Sequence, residues 1–515
     1  MKEKLYQVWR ALVWTFDPAD RTEAGKAVTR NFWLHWFPPR VTKASLAWSY
    51  SFWLGTISAF LFLILVVTGV ILMFLYVPSV ERAYQSIKDL EYAVTFGWLL
   101  RNMHRWSAHM MVAAVFLHMV RVFYTGAYKN GMSHMARREV NWVVGIILLL
   151  LTLLLSFSGY LLPWDQLAIW AVTVGTQIAR SVPMIGDEIY YALAGGTRLD
   201  QNALIRFYTL HVIFLPLLLL ILFSYHMWRV RKDEGLAVVE QFNIARKKGE
   251  AVQPEMVFSS PWVVRRIVLV FMGTFAWILF LSVFLKSPLE EPASLEWTPN
   301  PAKAPWYFLW LQELVTITTI RIGGITLNGG FIGGVLIPGI LATLLTIWAF
   351  IDKSPAEATG VWFHKGRLVQ NLVFTFFVLV IVGMIDILKR LFLLMESESA
   401  DIYTLAREED RNEDPNRVKV VLDSRNFALY FSRLPIPYRS EKVLIHIGIY
   451  GYRKKKLLEF SKLPRPRIEE LEGLEQLRAL YHGWKIRVDV VDYRGISIDT
   501  EQDLERAKGI YLKGN

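Results

Sequence analysis

Arg101-Asn-Met-His104-Arg-Trp-Ser107 and, further along the same apolar segment, Leu117-His118-Met-Val-Arg121 place two histidines fourteen residues apart. A second apolar segment repeats the arrangement. There Arg206-Phe-Tyr-Thr-Leu-His211 is followed, fifteen residues on from its histidine, by His226-Met-Trp-Arg-Val-Arg-Lys232. An α-helix turns about 100° and rises about 1.5 Å per residue, so a step of fourteen returns to within about 40° of the same face. A step of fifteen returns to within about 60°. Each pair is then separated by roughly 21–23 Å along its axis, most of the way across a hydrocarbon core of about 30 Å. A lone intramembrane histidine is usually a helix–helix hydrogen bonder or a proton-path residue. Two pairs at matched spacing on separate segments are hard to reach that way. They fit two antiparallel helices that hold two haems between them, each iron taking one histidine from each helix.

The remainder of the chain reads as a membrane protein. It has 515 residues, 54% of them hydrophobic and 14% aromatic, with 20 Trp. Apolar runs long enough to span a bilayer recur at about 52–76, 97–120, 140–162, 207–228, 264–286, 331–351 and 369–388. The start has no cleavable signal pattern; residues 1–50 are amphipathic and carry eight Lys/Arg. The stretch from Arg229 to Arg266 carries eight more, and Arg121, Lys129, Arg137 and Arg138 border the second connection. The positive-inside rule therefore puts the N-terminus in the cytoplasm, and seven spans put the C-terminus outside. A net charge of +12 is accounted for by this orientation signal, and nucleic acid is not an expected partner. There is no cysteine. Disulfides, iron–sulfur clusters, Cys-ligated zinc and thioether-linked haem are excluded on this chain, so any haem is held non-covalently.

Glycines add a second regularity. Gly55 and Gly69 lie fourteen apart on the first span, and Gly145 and Gly159 lie fourteen apart on the third. Small residues often serve helix packing in membranes. The shared interval with His104 and His118 instead points to one notch per haem on each flanking helix. Arg101, three residues before His104, is a candidate for neutralising a haem propionate; the alternative is a snorkelling interfacial arginine.

These segments resemble cytochrome b of quinol–cytochrome c oxidoreductases, closest to the cytochrome b6 branch. The resemblance extends to Ser158-Gly-Tyr-Leu-Leu-Pro-Trp-Asp-Gln166, and residues 261–390 resemble the partner subunit of the b6f complex, here fused in one chain. The resemblance covers about 35–395. It implies that His104 and His211 ligate an outer haem and that His118 and His226 ligate an inner one. It implies quinol oxidation at an outer site, with one electron passing to a Rieske iron–sulfur protein and the other through both haems to an inner quinone site. A c-type cytochrome partner, a homodimer within a complex, and a multi-pass place in a bacterial inner membrane follow from the same resemblance.

The outer quinol site of that family carries Pro-Glu-Trp-Tyr, and the matching residues here are Ala304-Pro305-Trp306-Tyr307. Pro305 stands where the proton-accepting glutamate is expected, so another acceptor is needed. Glu313 is the nearest downstream carboxylate and Glu296 an upstream option. The departure points to a low-potential quinone such as menaquinone. Trp306, Tyr307, Asp165 and the segment 163–180 would line the cavity. For the inner face the candidates are His35, Arg40, Lys43 and Asp233, while His109 reads as structural. The cysteine that attaches an extra haem in the b6 branch is missing.

From about residue 400 the composition turns charged and no further span follows. Strand-like runs such as Val418–Leu422 and Lys485–Val491 alternate with a helical pattern over Ile468–Tyr481, which reads as a small soluble α/β domain. Asp414-Pro-Asn, Ala428-Leu-Tyr-Phe-Ser-Arg433, His446-Ile-Gly-Ile-Tyr450 and Ile498-Asp-Thr500 resemble the C-terminal half of CMP-Kdo synthetase over about 412–512. The N-terminal half, with its nucleotide loop and first metal aspartate, is absent. Asp499 alone is a weak magnesium site, so the domain is expected to be a docking or packing module rather than a catalyst.

The expected fold is an all-α transmembrane bundle of about seven spans with a small C-terminal α/β domain. Its parts are an N-terminal segment (1–50), a dihaem four-helix domain (51–235), a linker (236–263), a three-helix domain with the quinol site (264–395) and the soluble domain (400–515). Two other functions are compatible with paired histidines: a dihaem anchor linking quinone to a different dehydrogenase or reductase, and a haem-free transporter with histidine proton relays.

Overall fold

The computed structural model describes residues 20–30, 38–131, 136–233, 235, 255–294, 304–322, 325–397, 400–411, 413–415, 417–452, 454–460 and 462–491. Among the described residues seven helices are long and apolar enough to cross a membrane. They are Leu54–Met73, Gly97–Tyr124, Arg138–Tyr160, Gln201–Lys232, Ser259–Phe284, Gly329–Ile351 and Lys365–Met384, the first to seventh spans. His35, Glu296 and Asp499 fall outside the described residues.

The chain divides into two compact units. One holds residues up to Ser294 together with Gly330–Leu379, and the other holds Leu295–Gly329 with Val380–Asn515. In the first unit the first span packs on the second, the third on the fourth, the fifth on the first and second, and the sixth on the third. The centre is apolar: Leu61, Ile64, Met111, Ala114, Leu151, Leu219 and Ile278 form one buried cluster drawn from five spans.

Two spans are not regular α-helix throughout. In the fourth, Leu210–Phe214 forms a π-helical turn before α-helix resumes at Leu215. In the sixth, Ile332–Leu336 does the same before Ile337. A proline stands two residues after each turn, Pro216 and Pro338. Proline has no N–H to give the carbonyl four residues back, and its ring crowds that carbonyl. A wider turn, which carries one extra residue, relieves both problems.

Polar ties fix the span ends. At one end Arg367, fully buried, donates to the Phe123 carbonyl at 2.7 Å and to the Tyr128 hydroxyl at 2.7 Å. Tyr128 in turn donates to Asp352 at 2.6 Å. At the opposite end the chain leaving the fifth span is bound to the second. Asn102 donates to the Ser282 carbonyl at 2.9 Å, and Trp106 to the Leu285 carbonyl at 2.7 Å.

A two-stranded ladder joins β1 (Arg40–Thr42) to β2 (Met256–Phe258) in the first unit. In the second unit β3 (Ile320–Ile322) pairs with β4 (Ile325–Leu327). The rest of that unit is an α/β domain with a five-stranded sheet of order β7-β6-β8-β5-β9. Its strands are β5 (Ile402–Asp410), β6 (Lys419–Leu422), β7 (Ala428–Ser432), β8 (Lys442–Tyr452) and β9 (Ile486–Val490). β5 runs antiparallel to β8 and parallel to β9. One sheet face, including Ile402, Ala406, Phe431 and Val488, packs on Phe460, Leu474 and Leu477.

Candidate functional site

The four histidines gather into two layers, and each faces a glycine. A Cβ built on Gly69 would lie 3.2 Å from the His104 ring, and one on Gly159 would lie 2.5 Å from the His211 ring. In the other layer a Cβ on Gly55 would lie 3.1 Å from His118, and one on Gly145 would lie 3.7 Å from His226. Each glycine thus makes room for an imidazole ring. This refines the sequence reading, in which the notch received the macrocycle.

The rings of His104 and His211 stand with centroids 6.2 Å apart and planes at 75°. Metal–imidazole bonds are about 2 Å long. Two such bonds plus the radius of each ring span that separation, so an iron fits between the rings. His118 and His226 likewise face one another within electrostatic reach.

The 14- and 15-residue spacings coexist because of the π turn. His211 lies inside Leu210–Phe214. The turn takes up one residue, so the step from His211 to His226 behaves as the fourteen-residue step does on the second span.

The two layers differ in what holds the rings. His104 Nδ1 lies 2.9 Å from the Thr68 hydroxyl, which itself donates to the Ile64 carbonyl at 2.7 Å. That hydroxyl proton is spent, so Nδ1–H is the donor to Thr68 and Nε2 is left bare. His211 Nδ1 lies 3.1 Å from the Leu155 carbonyl and 3.2 Å from the Ser158 hydroxyl. A carbonyl can only accept, which again assigns the proton to Nδ1 and leaves Nε2 free for a metal. Hydrogen bonds of this kind orient a ligating imidazole and raise its basicity. In the second layer His118 Nδ1 has no hydrogen-bond partner. His226 Nδ1 likewise has no hydrogen-bond partner. The sequence carried a signal for this difference: Thr68-Gly69 and Ser158-Gly159 pair a hydroxyl with the glycine, whereas Leu54-Gly55 and Val144-Gly145 do not.

Between the layers lies the apolar cluster of Leu61, Met111, Leu151 and Leu219. These residues fall at or beside the midpoint of each pair of marks on their own span. They make an apolar partition about midway between the two histidine layers.

Arg101 does not stand free for a propionate. It is buried, pairs with Glu91, and donates to the Ser287 carbonyl at 3.0 Å and the Pro288 carbonyl at 2.7 Å. Arg121, one turn past His118, reads from sequence only as part of the charged border of the second connection. It is buried, its guanidinium lies 4.4 Å over the Tyr50 ring, and its Nε donates to the Tyr50 carbonyl at 3.0 Å. Its Nη2 is buried without a partner. An unspent cationic donor beside His118 suits the carboxylate of a propionate. The residues present therefore fit haem: four imidazoles in two layers, four glycine clearances and one orphaned arginine nitrogen.

Among the residues expected at the inner face, Arg40 lies over the Phe258 ring at 4.6 Å and Lys43 pairs with Glu255 at 2.8 Å. Asp233 is buried, pairs with Arg229 at 2.8 Å and accepts from the Arg137 backbone at 3.0 Å. His109 lies beside Trp106, with ring centroids 5.6 Å apart.

For the outer site, Asp165 caps the helix Gln166–Arg180 by accepting from Ala168 N at 2.9 Å, and burial holds its carboxyl above the usual range. In the second unit Trp306 is 42% exposed, whereas Tyr307 is buried. The two rings meet edge to face at 5.4 Å. The helix Leu309–Ile317 carries Glu313, which is buried and whose Oε2 has no hydrogen-bond partner. Burial pushes its carboxyl up to about 7. An unsolvated carboxylate that titrates near neutrality is suited to accept and release a proton.

Residues 41–234 match the family described as cytochrome b/b6/petB, and residues 384–486 match a cytidylyltransferase family. Cytochrome b6 of Heliomicrobium gestii is 41% identical over 180 residues, 35% of this chain and 82% of that protein. Cytochrome b6 of Porphyra purpurea is 43% identical over 180 residues, 35% of this chain and 81% of that protein. A solved chain from a hyperthermophilic respiratory complex III is 26% identical and superposes with a TM-score of 0.56, covering 66% of this chain and 83% of its own. CMP:2-keto-3-deoxy-manno-octonic acid synthetase is 33% identical over 26% of this chain and 57% of its own, with a TM-score of 0.23.

Proposed function

Because the chain belongs to the cytochrome b/b6 family, an electron-transport component of bc-type complexes with a multi-pass membrane body, we propose that it is the dihaem, quinol-oxidising subunit of a Rieske/cytochrome b complex. The observation that carries the reading is the double layer of histidines, each opposite its own glycine. In this reading His104 and His211 hold an outer haem, and His118 and His226 hold an inner one, with Arg121 toward an inner propionate. When bound, the haems supply one-electron chemistry at potentials tuned by their ligands and surroundings. The partition at Met111 and Leu219 keeps water out between them.

Quinol gives up protons as well as electrons, and these need an acceptor within the protein. Glu313 is the acceptor in this reading, taking the place of the glutamate replaced at Pro305, and Trp306 and Tyr307 border the ring. One electron then leaves to a Rieske protein and on to a c-type cytochrome, and the other crosses to an inner quinone site. Menaquinol suits the altered motif. The spans would lie in a bacterial inner membrane with the N-terminus cytoplasmic and the α/β domain outside, in a homodimeric complex.

Two expected results follow. Tyr307→Ala slows quinol oxidation about tenfold or more through lost positioning, while haem content stays at the wild-type value. An unchanged rate counts against the outer-site assignment. Thr68→Val removes the hydrogen bond to His104, worth about 1 kcal/mol. A less basic ligand raises the potential of one haem by about 40 mV and leaves the other where it was. A redox titration monitored by absorbance reads both, and equal shifts in the two would contradict the assignment.

A further inference from the structure

Strand β5 is buried at five successive positions, Ile402, Tyr403, Thr404, Leu405 and Ala406. Side chains alternate between faces along a strand, so both faces of this sheet are covered. Ile402 and Ala406 face the domain's own helices. Tyr403 and Leu405 point the opposite way, into a separate cluster with Ala400, Ile449 and Val491. The other buried member of that cluster is Leu309, and Ala304 packs against it. The second sheet face is thus closed by the segment that flanks Trp306 and Tyr307.

The topology agrees. Residues 304–317 follow the fifth span and the α/β domain follows the seventh. Two crossings separate them, so both lie on the same side of the membrane. Leu309 and Glu313 are one turn apart on the helix Leu309–Ile317, and side chains four apart share a face.

We propose that the C-terminal α/β domain is a positioning element for the outer-site segment: the sheet face formed by Tyr403, Leu405, Ile449 and Val491 seats Ala304 and Leu309 and so fixes the helix that carries Glu313. The proposal rests on reading that segment as the quinol-oxidising site. It gives the domain a role that needs no nucleotide chemistry. Tyr403 and Leu405 are positioning residues, acting through Leu309.

The chain has no cysteine of its own, so the introduced thiols are the only ones on it. In the full chain within its native membrane complex, Leu309→Cys is combined in turn with Tyr403→Cys and with Ile449→Cys, and each pair is treated with a short bismaleimide. Efficient intrachain cross-linking is expected for at least one pair; none for either would overturn the seat. Leu309→Ala and Tyr403→Ala are each expected to slow quinol oxidation about tenfold with both haems retained. The double variant is expected to be no slower than the worse single one, because the two act through one contact. Unchanged rates, or losses that multiply, would overturn the positioning role. If instead the cross-link forms and both Glu313→Gln and Tyr307→Ala oxidise quinol normally, the outer-site reading fails while the seat stands.

Discussion

Gly159→Ala is expected to remove one haem of two. The added methyl would lie 2.5 Å from His211 Cε1 and 3.0 Å from both ring nitrogens, and Leu155 and Ser158 of the same helix fix the ring through Nδ1. Nothing flexible can yield there. The ring must swing, and a shift of about 1 Å breaks an imidazole–metal bond of about 2 Å. Gly145→Ala is the internal control. Its methyl would meet the His226 ring at 3.7 Å, an ordinary contact, so both haems are expected to stay. Gly69→Ala and Gly55→Ala, at 3.2 and 3.1 Å, should fall between the two extremes. Pyridine haemochrome quantitation on the purified variants gives the ranking. Equal tolerance at Gly145 and Gly159 would show that the glycines serve helix packing alone.

Glu313→Gln should cost the largest share of turnover, about a hundredfold or more, the contribution of a positioned proton acceptor. Glutamine keeps the shape and cannot take the proton. The pH dependence supplies the sign. Burial raises the carboxyl to about 7, so below that pH it already carries a proton and cannot receive another. Quinol oxidation by the wild type should therefore climb with pH through about 7. The Gln variant should lack that limb, and haem content should not change. A full rate in the variant, or a wild-type profile flat from pH 6 to 8, would pass the role to another group.

Much of this was legible in the sequence because it is written as spacing. Apolar runs set the spans, and fourteen-residue steps set the faces of His104, His118 and the four glycines. The tail's loss of spans and its strand runs marked the α/β domain. The unread parts depend on side-chain commitments that spacing does not carry. Arg101 sits in the expected place but is spent on Glu91 and two carbonyls. Thr68 and Ser158 are helix hydroxyls of the kind that usually bond to the preceding turn. Thr68 does so and accepts from His104 as well. The fifteen-residue step between His211 and His226 needed a π turn that only Pro216 hinted at. The seat of Leu309 against Tyr403 joins positions far apart in the chain, which no local pattern announces.

The most direct test of the four-histidine site is a dithionite-reduced minus oxidised spectrum of the purified chain, with acid–acetone extraction and a haem-to-protein ratio. The account expects two extractable b-type haems per chain, titrating at separate potentials. One haem, or none, would contradict it.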